Sequence, residues 1–231
     1  MPISIRITCH STLSIGRAPF LLTASACSAR ATCCVCLRRH TRRGWPRRKL
    51  TEFFVFLGGS DVEGPTLPVY ELLSRVSMDI QIDVVLGAAM HNRKHVAQGL
   101  IRLGPHICVL EPLAELGPFL RAHDIAVVAG GSTIWELFAA GVPILSLVVA
   151  DNQLETNSHL HADDLLELVD MRLSSRGTEL PQKFARLAHN SELRRLRSRK
   201  GLQLFDDKGL DRVSSLLYEC NNVNSEPGPV V

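Results

Sequence analysis

With 231 residues and 45% apolar side chains, the chain is long enough to bury one large core or two small ones. Its net charge of +3 is unevenly placed: residues 1–50 carry ten Arg and Lys and no Asp or Glu, which leaves 16 basic against 23 acidic side chains in residues 51–231, a net of −7. The mildly acidic body gives no support for a nucleic-acid partner. The longest apolar stretch, Val142–Ala150, is about half of the roughly 20 residues that a membrane-spanning helix needs, so no membrane association is expected.

The basic segment comes first. Residues 1–50 show no sustained apolar period, and their Arg- and Ser-rich composition fits an organellar presequence, an unstructured arm, or a stretch that is not the natural start of the fold. A secretory signal is disfavoured, because Arg17 and Pro19 interrupt the apolar run that would form its core. Cys33-x-x-Cys36 with His40 resembles half of a zinc site, but the remaining candidates, Cys9, His10 and Cys27, lack a recognisable spacing. Only Cys108 and Cys220 lie in the body, a usage that suits a reducing, cytoplasmic location without structural disulfides.

From Thr51 the pattern becomes regular, with short β-branched runs alternating with amphipathic stretches. The runs predict strands at Phe53–Leu57, Ile82–Gly87, Ile107–Leu110, Ile125–Ala129 and Ile144–Val149, with a short sixth at Glu167–Val169. Helices are predicted at Thr66–Val76, Asn92–Leu103, Leu113–Arg121, Thr133–Ala140 and Leu154–Leu165, followed by a basic pair at Pro181–Lys200 and Lys208–Glu219. Strands alternating with helices predict an α/β domain, a Rossmann-like parallel sheet over residues 51–220, with a frayed tail at 221–231.

Three polar clusters follow three of these strands: Gly58-Gly59-Ser60-Asp61, Gly130-Gly131-Ser132-Thr133 and Asp151-Asn152-Gln153. In a parallel sheet they share one edge. Glycine lets the backbone approach a phosphate, and a helix start presents free N–H groups and partial positive charge. Two readings of Thr133-x-x-Glu136 stay open: an anion-binding turn, or a capping box in which Glu136 satisfies the helix's own N–H. Other polar runs read as surface. His159 and His161, two apart, cannot chelate one ion from a helix. Arg93, Lys94 and His95 form a solvated helix start, and Arg194-Arg195-Arg197-Arg199-Lys200 is read as exposed, without the interleaved aromatics that stack bases. Neither a Walker lysine loop nor G-x-G-x-x-G is present, so ATP hydrolysis and nicotinamide binding lack support.

The succession "FVFLGGSD", "DVVLG", "VLEPLAELGPFLRAHDIAVVAGGSTIWELFAAGVPILSLVVADNQ" and "DDKGLDRV" resembles the C-terminal half of the UDP-sugar hydrolases of pseudaminic acid biosynthesis and their spore-coat polysaccharide relatives. That resemblance implies the C-terminal half of a glycosyltransferase B-type fold, with the N-terminal half missing or degenerate. It implies that Gly59, Ser60, Ser132 and Thr133 contact a diphosphate, with Gly58 and Gly131 in the same two turns, and that Glu136 accepts hydrogen bonds from ribose hydroxyls. Backbone near Val109 and Leu110 would hold the uracil, with Asn152 and Gln153 close to the sugar. No cofactor or metal is implied. The expected partner is a UDP-sugar, and a separate polypeptide carrying an N-terminal domain is a candidate second one. Relatives place a catalytic histidine in a Gly-x-Gly-His loop. Here Leu13–Gly16 leads instead into Arg17-Ala18-Pro19, and no catalytic residue is identifiable. UDP-sugar hydrolysis is the leading expectation, with a UDP-sugar-dependent transferase or a non-catalytic nucleotide-binding remnant as alternatives.

Overall fold

The computed structural model describes residues 49–59, 69, 71–73, 75, 79–110, 117–172, 179–206 and 208–223, side chains at 117–118 and 220–223 excepted. All fall within one compact unit, Arg39–Val231. The expectations for residues 1–48, for Ser60, for most of the first predicted helix and for the end of the tail lie outside the described residues.

Among the described residues six strands form one sheet: β1 (Glu52–Phe56), β2 (Gln81–Val85), β3 (Ile107–Leu110), β4 (Ile125–Ala129), β5 (Ile144–Val148) and β6 (Glu167–Asp170). The order is β3-β2-β1-β4-β5-β6, and every pair is parallel. Helices cover both faces, so the central strands carry apolar side chains on both sides; β4 (IAVVA) and β5 (ILSLV) are buried at every position.

The helices are α1 (Arg93–Leu103), α2 (Gly117–Leu120), α3 (Thr133–Ala140), α4 (Asp151–Ala162), α5 (Leu180–His189), α6 (Ser191–Leu204) and α7 (Gly209–Val223). On one face Phe53, Val55, Ile82 and Val127 pack with Val96 and Leu100 of α1 and Phe184 of α5. On the other, Phe54, Val128 and Ile144 pack with Leu120 of α2, Ile134, Leu137 and Phe138 of α3, and Leu160 of α4. No helix among the described residues is long and apolar enough to cross a membrane.

Several helix boundaries and one burial assignment differ from the sequence expectation. The predicted Pro181–Lys200 helix is two helices, α5 and α6, broken at Asn190, whose non-helical backbone (φ −107°, ψ 89°) lets its side-chain oxygen accept from Leu193 N–H at 2.9 Å as the N-cap of α6. Helix α4 starts at Asp151, three residues before the predicted Leu154, and α7 continues to Val223, past Glu219 into the predicted tail. Of the predicted Leu113–Arg121 helix, α2 occupies Gly117–Leu120, and residues 111–116 are not described.

The basic run on α6 is not simply surface: Arg194 and Arg197 are 0% and 2% exposed. Arg194 Nη1 donates to the carbonyls of Leu187 and Ala188, both at 2.7 Å, and so satisfies acceptors that the C-terminus of α5 leaves orphaned. Burial lowers the Arg194 pKa, an effect that the Asp124 carboxylate opposes. Arg197 Nη2 lies 3.2 Å from Glu167 at the start of β6 and 3.1 Å from Asp164. A buried charge is tolerable when so paired, and pairing is what the run's spacing does not reveal.

Candidate functional site

The chain leaves β1 toward one edge of the sheet and β4 toward the other, so a crevice opens between the carboxyl ends of these two neighbours. Phe56 is the register partner of both Val85 and Val128. Gly58 and Gly130, each two residues beyond, therefore emerge side by side, and residues more than seventy apart in sequence meet. Gly58 has φ +101°, a conformation that side chains with a Cβ rarely adopt. Gly87 follows β2, where a Cβ would stand 2.2 Å from the Gly59 carbonyl oxygen, and Ala89 N–H donates to that same oxygen at 2.9 Å. The turns after β1 and β2 are thus locked together, while a Cβ on Gly58, Gly59 or Gly131 would meet nothing within 4 Å among the described residues.

Helix α3 starts at this crevice. Its N-cap is Ser132, which makes no side-chain capping bond, and Thr133 is its first helical residue. The capping-box alternative therefore does not hold: Thr133 stands one position too late, and Glu136 is exposed without a partner among the described residues. The amides of Ser132 and Thr133 have no backbone acceptor among the described residues. Two free N–H groups, two hydroxyls and a free carboxylate thus line the first turn, with the positive end of the helix dipole behind them.

The turn is held from beneath by a residue the sequence reading missed. Asn157, fully buried on α4, donates from Nδ2 to the carbonyls of Gly130 (3.0 Å) and Gln153 (2.7 Å) and accepts from Ser146 Oγ of β5 at 2.6 Å. A Cβ on Gly130 would stand 2.6 Å from that Nδ2. The available signal was Gln153–Asn157–Leu160 at helical spacing, a polar residue on the face of α4 that meets the sheet.

The other expected residues fall along the same edge. Val109 and Leu110 end β3, two strands out from β1, both half-buried. Asn152 is exposed in the first turn of α4, beyond β5, and has no partner among the described residues. Gln153 is partly committed, because its Oε1 accepts from Val149 N–H at 3.0 Å. Asp151 pairs with Arg172, which also binds Asp170 at 2.8 Å, and these carboxylates raise the Arg172 pKa. The first turn of α1, after β2, carries Arg93, Lys94 and His95 and no acid. His161 Nδ1 lies 3.0 Å from the Leu166 carbonyl and His159 is exposed; no metal-ligating cluster occurs among the described residues.

No family model matches the chain. In sequence it is related to the spore coat polysaccharide biosynthesis protein SpsG of Bacillus subtilis, 26% identical over 180 residues, which cover 75% of this chain and 51% of that protein. In fold it is similar to WaaG, a glycosyltransferase involved in lipopolysaccharide biosynthesis, with TM-score 0.53, 18% identity, and 70% of this chain and 44% of WaaG covered. It is likewise similar to the spinosyn rhamnosyltransferase SpnG, with TM-score 0.55, 16% identity, and 76% and 48% covered. The chain spans about half the length of each. The Rossmann-like expectation holds, and the domain has the fold of one half of such glycosyltransferases.

Proposed function

We propose that this domain binds a UDP-sugar across the crevice and serves cleavage of its anomeric C–O bond in polysaccharide biosynthesis. The observation that carries the reading is the convergence of two glycine turns and the unsatisfied first turn of α3 at the point where the strand order reverses. The diphosphate sits over Gly58, Gly59 and Gly131, accepting from the amides of Ser132 and Thr133, with Ser60 as a further donor. Glu136 accepts from the two ribose hydroxyls, a task that suits a carboxylate with two free oxygens. The uracil meets backbone near Val109 and Leu110, and the sugar lies toward Asn152 and the free amide of Gln153. As the bond breaks, negative charge grows on the departing UDP, and fixed N–H dipoles lower the energy of that charge without reorganising.

Water is the acceptor in the leading reading, which rests on the motifs shared with the pseudaminic acid hydrolases; their 2,4-diacetamido-trideoxy sugar is the first substrate to try. Transfer to another sugar or lipid acceptor is the second reading, favoured by the glycosyltransferases among the fold neighbours. Product analysis with and without acceptors separates them. Binding is tested by calorimetry: UDP should bind more tightly than UMP or ADP, and Glu136→Gln should weaken UDP while leaving the melting temperature unchanged. Equal affinity for ADP, or a stability loss without an affinity loss, would sink the reading.

A further inference from the structure

Trp135 is an aromatic that α3 leaves partly exposed, outside the core beneath the helix. The core beneath α3 is filled by Ile134, Leu137 and Phe138, whereas Trp135 is 41% exposed. Its ring is nonetheless braced, 5.4 Å from Phe205 and 6.2 Å from Phe138, and those two rings stack on each other at 4.6 Å. A helical side chain leans over the turn N-terminal to its own Cα, which here is the ligand-facing start of α3. At roughly 100° per residue, Glu136 and Trp135 stand on opposite flanks of Ser132.

Helix α3 packs against α2, whose Phe119 ring meets Phe54 of β1 at 5.8 Å. It also packs against α6, which is tied through Arg197 to β6 and carries Phe205 at its end. Trp135 leans on Phe205, so it is on the β5–β6 side, while β3 is at the opposite end of the sheet. A nucleotide sugar lying with its base at β3, its ribose at Glu136 and its diphosphate over Ser132 directs the remaining group toward Trp135.

We propose that Trp135 is the stacking wall of the sugar subsite, packing its indole against the C–H face of the pyranose beyond the diphosphate. This rests on the nucleotide-sugar reading above and adds to it a residue that reads the sugar and not the nucleotide. A flat, pre-braced ring binds at little entropic cost.

Calorimetry on the full chain with UDP and with UDP-N-acetylglucosamine is the test. Trp135→Ala should leave UDP affinity unchanged within about twofold and lower UDP-N-acetylglucosamine affinity roughly three- to tenfold, and Trp135→Phe should keep most of the difference. With Trp45→Phe removing the other indole, the remaining emission should respond to UDP-N-acetylglucosamine and much less to UDP. Equal losses for both ligands would mean that the ring only braces α3, and unchanged affinities would mean that it faces solvent; either overturns the proposal while the nucleotide reading stands. Absence of UDP binding by the unaltered chain overturns both. Should Trp135→Ala fail to fold, Trp135→Phe and the emission response decide.

Discussion

At the scale of single residues, neighbouring glycines make opposite predictions. A Cβ on Gly130 would stand 2.6 Å from Asn157 Nδ2, so Gly130→Ala must push apart the hydrogen bonds that seat the turn; about 1–3 kcal/mol of stability should be lost in denaturant titration. Gly131 has open space above it among the described residues and a negative φ, so Gly131→Ala should leave stability unchanged or raise it by about 0.4–1 kcal/mol through the unfolded chain. In the proposed binding mode the same methyl would stand in the phosphate's place, and UDP affinity should fall at least roughly tenfold, since a displaced charge-assisted contact is worth about 1.5–3 kcal/mol. Retained affinity would remove the phosphate from this turn. Both glycines are legible in the sequence as a turn, but their division of labour is not, because it depends on Asn157 from a helix 27 residues away.

At the scale of elements, α6 is held by charge as much as by apolar contact. Glu167 is 1% exposed and meets Arg197 at 3.2 Å and Arg186 at 2.8 Å. Arg197→Met should cost about 3 kcal/mol by leaving that carboxylate under-compensated, and adding Glu167→Gln should restore much of it. A double mutant no more stable than the single one would show that lost packing dominates. The start of α7 is pinned differently, by Asp206, which pairs with Arg212 at 2.8 Å and accepts from Lys208 N–H. The Arg212 hydrogen bond, then that backbone bond, lower its pKa from 3.8 to about 2. The contribution is therefore present above the unfolded value near 3.8 and lost as pH falls through about 2. Carboxyl NMR should find that midpoint, and Arg212→Ala should move it back toward 3.8. The strands are legible from their apolar runs because both faces are buried. The α5–α6 break is not, because a cap at Asn190 and two buried guanidinium groups look in sequence like one solvated basic helix.

At the scale of the whole molecule, strand order carries the site. Alternating strands and helices predict a parallel sheet, but βα units close into several orders, and the observed order β3-β2-β1-β4-β5-β6 makes β1 and β4 neighbours and so sets their turns side by side. Binding groups are therefore plentiful while groups for chemistry are scarce. A general base must come within about 3 Å of the attacking water. Asp151 is tied to Arg172, and His159 lies eight residues along α4, about 12 Å from the edge at 1.5 Å per residue. Glu136 is taken up by the ribose in the proposed binding mode. Among the described residues His91 and His95, both exposed beyond β2, are further candidates, and neither is held by a partner in the crevice. The chain on its own is accordingly expected to hold UDP-N-acetylglucosamine but release free sugar far more slowly than roughly 1 per second, since general acid–base help is worth about 10² to 10⁴ in rate and fixed orientation more. Discontinuous sampling of product after UDP-sugar addition, with protein in excess of any contaminating hydrolase, measures this. Turnover at or above roughly 1 per second would overturn it, and loss of that turnover in His91→Ala or His95→Ala would then identify the base.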